Sequence, residues 1–150
     1  MAADPPPKIP SEIPDGPKIP DGFIHVLRAP FVNHVGPILQ AIENAPGTML
    51  LGLQVEKIHI NTMGFMHGGM IATVCDSAMA RALHSKLQRR TVTLRMSLEY
   101  FDPIKHGDFI EAHARLVDYD EEVAHTDCEV RVGGSLCARG TGVFRLLRKT

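Results

Sequence analysis

The sequence contains no tryptophan and only two tyrosines, so it offers no aromatic platform on which nucleic-acid bases could stack. Its 16 Lys and Arg nearly balance 17 Asp and Glu, for a formal net charge of -1. That removes the electrostatic case for nucleic acid or an anionic membrane as the main partner. No run of about 18 apolar residues occurs, so nothing reads as a membrane-spanning helix. The three cysteines, Cys75, Cys128 and Cys137, are an odd number without the spacing of a disulfide framework. They fit free thiols in a reducing, cytoplasmic setting, and the first 22 residues show no basic-then-apolar leader pattern. At 150 residues, with 44% hydrophobic and 22% charged, the chain has the length and composition of one ordinary globular domain.

Proline, by contrast, is concentrated. Seven of the eleven prolines lie between Met1 and Gly22, within imperfect echoes such as Pro7-Lys8-Ile9-Pro10 and Pro17-Lys18-Ile19-Pro20. Proline lacks a backbone donor and biases its predecessor to extended states, so 1–22 reads as a polyproline-like or disordered tail. Residues 23–150 then form the domain. Phe31, Val35, Ile38, Leu39 and Ile42 have helical spacing, interrupted by Pro37. Met49 to Ile60 reads as a strand.

Gly68 to Leu87 is the one long helix candidate. Its first half is apolar on every side, which predicts burial all round. Lys86, Arg89 and Arg90 beyond it suit a helix C-terminus, with coenzyme phosphates as the alternative partner. Val92, Leu94, Met96, Leu98 and Tyr100 alternate with polar residues in a period of two. Phe109 to Val117 forms a further strand, and Val123 to Val132 and Leu136 to Leu147 a hairpin around Gly133-Gly134. A strand, a buried helix and then a run of antiparallel strands predict an α+β fold, one curved antiparallel sheet wrapped around one long central helix. An exposed sheet edge in such a fold invites dimerisation by sheet extension.

Chemistry concentrates in Asn61-Thr-Met-Gly64-Phe-Met-His67-Gly68-Gly69, which runs into that helix. Paired glycines allow a sharp turn and close approach of a ligand to the backbone, though a tight turn alone would also use them. Free N–H groups at a helix start suit an oxygen that gains negative charge. Asp76 is the only carboxylate or cation between Gly68 and Ala80. A carboxylate in apolar surroundings must be paired, protonated or facing a wet cavity, which makes it a candidate base or nucleophile. The competing assignment is an ion pair with Arg95 or Arg115. The histidines show no helical metal-ligand pair, and no metal site is expected. Met63, Phe65, Met66, Met70 and Met79 could line an acyl pocket or simply pack the core.

The ordered set Asn61, Gly64, His67-Gly68-Gly69 and Asp76 resembles the hotdog-fold acyl-CoA thioesterases of the PaaI-like and hydroxybenzoyl-CoA type. Thr91-Val-Thr-Leu, Tyr100, Pro103-Ile, Gly107-Asp108 and Ala138-Arg-Gly140-Thr141 continue the resemblance, which covers about Phe31 to Leu147. It implies hydrolysis of an acyl-CoA without a cofactor, by a homodimer or dimer-of-dimers tetramer with shared active sites. In that reading the Gly68 amide polarises the thioester carbonyl. Asp76 from the neighbouring subunit attacks it or activates water, and Asn61 positions the nucleophile or water. His67 orients the thioester, Gly69 and Met66 contact substrate, and Thr93 helps hold the water. Thr93 sits on the polar side of its strand, where a hydroxyl is also an ordinary β-former. Two other functions fit the fold: a non-catalytic acyl-CoA sensor, which would not need Asp76, and an enoyl-CoA hydratase. The Asp-x-Asn-x-x-His arrangement of one hydratase group is missing.

Overall fold

A computed structural model describes residues 18–25 and 29–148. The reading of the proline-rich segment as a tail falls mostly on residues 1–17, which lie outside the described residues.

The chain opens with a short strand β1 (Phe23–Ile24), a helix α1 (Pro30–Val35) and a strand β2 (Leu39–Ala41). The apolar spacing through Ile42 therefore does not make one helix. Gly36 closes α1, and Pro37 pushes its predecessor out of the helical region. The chain then extends to pair Leu39 with Gly52 of β3 (Thr48–Gln54). The strand expected to run to Ile60 also ends early. Glu56 and His59 cap each other around a single 3-10 turn, Lys57–His59, which breaks the extended run.

The long helix α2 (Gly68–Leu87) has the predicted limits. Four strands follow: β4 (Thr91–Tyr100), β5 (Phe109–Tyr119), β6 (Val123–Val132) and β7 (Ser135–Leu146). Gly133 and Gly134 turn β6 into β7 with φ of 54° and 85°, the left-handed conformations a two-residue hairpin turn requires. All pairings are antiparallel, in the order β1-β2-β3-β5-β6-β7-β4. After β3 the chain lays α2 across the sheet and reaches β4 at the far edge. This is the α+β hotdog architecture.

Burial of α2 is one-sided. Met70, Ile71, Val74, Cys75, Ala78, Met79, Ala82 and Leu83 are buried, a stripe recurring every three to four residues against the sheet. Ala72, Thr73, Asp76, Ser77 and Ala80 remain half-exposed along the opposite side. The expectation of burial all round is thus corrected: small apolar residues dilute the polar signal of an open face. The helix can approach β7 closely because Gly140 and Gly142 face it. A Cβ on Gly142 would lie 2.6 Å from the Phe144 ring and 3.1 Å from Met79 Cε.

The alternation in β4 hides a bulge. Thr91 and Thr93 pair with Leu146 and Phe144, both buried on β7. The register then shifts between Thr93 and Arg95, and Met96, Leu98 and Tyr100 pair with Gly142, Gly140 and Ala138. One extra residue reverses the phase of a strand. Two threonines therefore face inward at the start of β4, while Val92 and Leu94 point out, 51% and 56% exposed.

Candidate active site

The loop before α2 is a miniature hairpin built by Asn61. Its backbone N–H donates to Phe65 O at 2.7 Å, and Gly64, at φ 85°, donates back to Asn61 O. Asn61 Oδ1 accepts from the N–H groups of Met63 (2.9 Å) and Phe65 (3.1 Å). The carboxamide Nδ2 has no acceptor among the described residues, so it is the end of Asn61 free to meet a ligand. Met66 N–H donates to Ile104 O and His67 N–H to His59 O, both at 2.7 Å, which pins the loop from two sides. His59 is buried and fully used. Its Nδ1 accepts from Glu56 N–H at 2.9 Å and its Nε2 donates to Val35 O at 2.6 Å.

His67 is the N-cap of α2. Its Nδ1 accepts from Gly69 N–H at 2.9 Å, so the neutral ring carries its proton on Nε2. Its backbone carbonyl accepts from Met70 at 2.8 Å and Ile71 at 3.2 Å. Of the backbone donors from His67 to Ile71, Gly68 N–H alone has no partner among the described residues. A helix start with one uncommitted donor, backed by the helix dipole, is a place for a carbonyl oxygen or an oxyanion. Gly69, by contrast, has its N–H occupied by the cap, so its contribution to a ligand is space: it carries no side chain and is exposed.

Asp76 lies two turns further along α2, half-exposed on the open face. Thr93 Oγ1 donates to its Oδ1 at 2.6 Å, a charge-assisted bond made possible by the bulge. The ion-pair alternative fails on geometry. Arg115 is engaged by Asp127 at 2.7 Å, and among the described residues no cation lies within 4.0 Å of the Asp76 carboxylate. One Asp76 oxygen is held by Thr93, and the other has no partner among the described residues.

Asn61, Met66, His67, Gly68 and Gly69 are therefore grouped at the start of α2, and Asp76 and Thr93 form a second group. Eight residues separate Gly68 from Asp76, about 12 Å along a helix rising ~1.5 Å per residue. Gly68 and Asp76 therefore lie too far apart along α2 to touch one another within one chain.

Tyr100, which enters the sequence pattern of β4 and the resemblance without a role, also borders this candidate site. Its hydroxyl donates to Gly68 O at 3.0 Å, and its ring lies close over the glycine, since a Cβ on Gly68 would sit 3.3 Å from the Tyr100 oxygen, a tight contact. With Met66, Ile71, Phe101 and Ile104 it walls a cleft of about 470 Å³ beside Gly68. Strict alternation would have placed Tyr100 on one face with Val92 and Leu94; only the bulge separates them. Of the other apolar candidates, Met63 is 75% exposed, whereas Met70 and Met79 belong to the core. Arg89 is not available to phosphates, because its guanidinium donates to the carbonyls of Glu121, Leu146 and Leu147. A larger groove, about 780 Å³, lies on the outer face of the sheet, where Arg115, Asp127, Glu129 and Arg139 are already paired with one another.

Fold and site together place the protein among hotdog-fold enzymes. The thioesterase superfamily matches residues 63–138, half of the sequence, and the chain belongs to that superfamily. The TT0310 protein of Thermus thermophilus is 31% identical and superposes with a TM-score of 0.74 over 81% of this chain and 100% of its own. A mutant of the phenylacetic acid degradation protein PaaI from the same organism is 30% identical, with a TM-score of 0.73 over 79% of this chain and 100% of its own. Human acyl-coenzyme A thioesterase 13 is 29% identical over 102 residues, 66% of this chain and 73% of that protein.

Proposed function

We propose that the protein hydrolyses acyl-CoA thioesters, with Gly68 N–H as the carbonyl-polarising donor and Asp76 as general base or nucleophile. The observation that carries this reading is the pair of preparations at the two ends of the reaction. Among the described residues, one helix-terminal N–H is left uncommitted, and one carboxylate is oriented by Thr93 but not neutralised by a cation. The similarity to human acyl-coenzyme A thioesterase 13 supports the choice of thioester.

The separation of about 12 Å along α2 is too long for attack within one chain, where reacting atoms must come to ~3–3.5 Å. The working site is therefore shared: Asn61, Met66, His67 and Gly68 of one subunit face Asp76 and Thr93 of another. The open face of α2 and the long edge strand β4, with Val92 and Leu94 exposed, are the surfaces on which a second copy would pack. A homodimer is the minimum; a tetramer would pair two of them.

In the general-base form, Asp76 takes a proton from water as the water oxygen bonds to the carbonyl carbon. Negative charge moves onto the carbonyl oxygen at Gly68 N–H, where one such donor is worth roughly 2.7–4 kcal/mol. Collapse breaks the C–S bond, and the departing thiolate takes up the proton, leaving acid and CoA. In the nucleophilic form, a carboxylate oxygen of Asp76 displaces the thiolate and forms an anhydride, which water then opens. In both, Asn61 Nδ2 positions the water, and the capped His67 holds the loop and turns Nε2–H outward. Met66 and Gly69 border the acyl group. The protein is read as acting in the cytoplasm.

A thiol-release assay with short, medium, long and aromatic acyl-CoAs tests this. Turnover of at least one class is expected. Saturable binding across the panel without turnover would instead make the protein an acyl-CoA sensor, and loss of enoyl absorbance without thiol release would make it a hydratase.

A further inference from the structure

The backbone around Gly68 is held at more points than a helix start needs. A glycine has wide freedom in φ and ψ, so the direction of its N–H is set only if the flanking peptides are fixed. Upstream, the peptide that carries the Gly68 N–H is held through its carbonyl, His67 O, which accepts from Met70 and Ile71, and His67 N–H is tied to His59 O at 2.7 Å. Downstream, the peptide joining Gly68 to Gly69 is gripped at both ends. His67 Nδ1 accepts its N–H at 2.9 Å, and Tyr100 Oη–H donates to its carbonyl at 3.0 Å.

His67 and Gly69 are two residues apart, and a helix cap explains their bond without reference to chemistry. Tyr100 is different. It comes from the end of β4, 32 residues away, and is more than half exposed, so burial does not account for its presence. What brings its ring to Gly68 is the phase set by the bulge at Leu94, the same irregularity that turns Thr93 toward Asp76. One extra residue thus delivers one side chain to each half of the reaction. Partial burial pushes the phenol upward from its usual range, with Cys75 adding to the effect, so at neutral pH the hydroxyl keeps its proton and stays a donor.

We propose that Tyr100 is a positioning residue for the reaction: by gripping Gly68 O it fixes the peptide that follows Gly68, so that the residue bearing the free N–H cannot turn about its own backbone, and its ring forms the wall against which the thioester carbonyl is pressed. This rests on the thioesterase reading above. The chemistry it serves is the polarised carbonyl, so its loss acts on the turnover step more than on affinity.

The test is Tyr100→Phe in the full chain, which keeps the ring and removes the hydrogen bond. Steady-state hydrolysis is measured on the acyl-CoA that the wild-type protein turns over best, with the melting temperature recorded alongside. In parallel, infrared difference spectroscopy follows the carbonyl band of a ¹³C=O-labelled acyl-CoA bound in an Asp76→Asn background, with and without Tyr100→Phe. The expected result is a kcat about tenfold lower, the worth of one hydrogen bond, with KM and melting temperature unchanged. The carbonyl band of the bound thioester should also move back toward its value in free solution. An unchanged kcat overturns the proposal. So does a fall in kcat that accompanies a lower melting temperature while the carbonyl band stays in place, because that is a structural role only. If the wild-type protein binds acyl-CoA without hydrolysing it, the thioesterase reading fails and the carbonyl band alone decides Tyr100. If it binds none, both fall.

Discussion

At the scale of single residues, the site divides into groups whose chemistry is visible in their type and groups visible only in their placement. Asp76 and the glycine pair belong to the first kind, since a carboxylate in an apolar helix and a glycine turn before it are anomalies on the page of the sequence. Thr93 belongs to the second. Its hydroxyl looks like a solvated strand position until the bulge turns it onto Asp76 Oδ1 at 2.6 Å. Thr93→Val keeps shape and removes that bond, and should lower kcat about tenfold with little change in KM. Steady-state kinetics on the wild type and variant checks it. His67 is a cap as well as a site residue. His67→Ala should cost about 1 kcal/mol in urea unfolding, and His67→Asn, whose oxygen can accept from the same N–H, should recover most of it. Equal stability of all three proteins would contradict the capping role.

Among the elements, the limits of α2 were legible because its apolar run, its glycine start and its polar end all agree. The bulge in β4 was not, because the sequence alternates without interruption and only pairing with β7 exposes the extra residue. The helix interrupted at Pro37 is the short α1, and beyond that proline the same apolar spacing continues as strand β2. The closeness of α2 to β7 depends on Gly142, so Gly142→Val should destabilise the fold by about 1–3 kcal/mol in urea, an overpacking cost against Phe144 and Met79. On the outer face of the sheet, hydrogen bonds from Arg131, with a further contribution from Arg139, hold the Glu129 carboxyl below the usual carboxylate range. A carboxyl lowered by folding adds stability above its unfolded value of about 4.3, and that gain is lost as pH falls through the folded value. The stability difference between wild type and Glu129→Gln should therefore be larger at neutral pH than in acid. Urea unfolding in both ranges measures it, and a difference independent of pH would count against the assignment.

For the whole molecule, the open face of α2 is the feature that the sequence misrepresented most usefully. Burial on all sides was expected, and one copy of the chain leaves a side uncovered, with Asp76 on it. A second copy packed there would meet both the expectation of burial and the distance problem along α2. Mixed subunits test the shared site: Asn61→Ala and Asp76→Ala, each inactive alone, should regain part of the activity when unfolded and refolded together. Composition set the size and class of the molecule, but no residue reports an acyl group, and in the proposed dimer the far wall of the cleft would come from the second subunit. The central claim is that Asp76 drives hydrolysis of an acyl-CoA bound at Gly68, and thiol release by wild type against Asp76→Ala tests it most directly. The account predicts turnover by the wild-type protein and a loss of about a thousandfold or more in the variant, with acyl-CoA binding retained. Normal turnover by Asp76→Ala would contradict it.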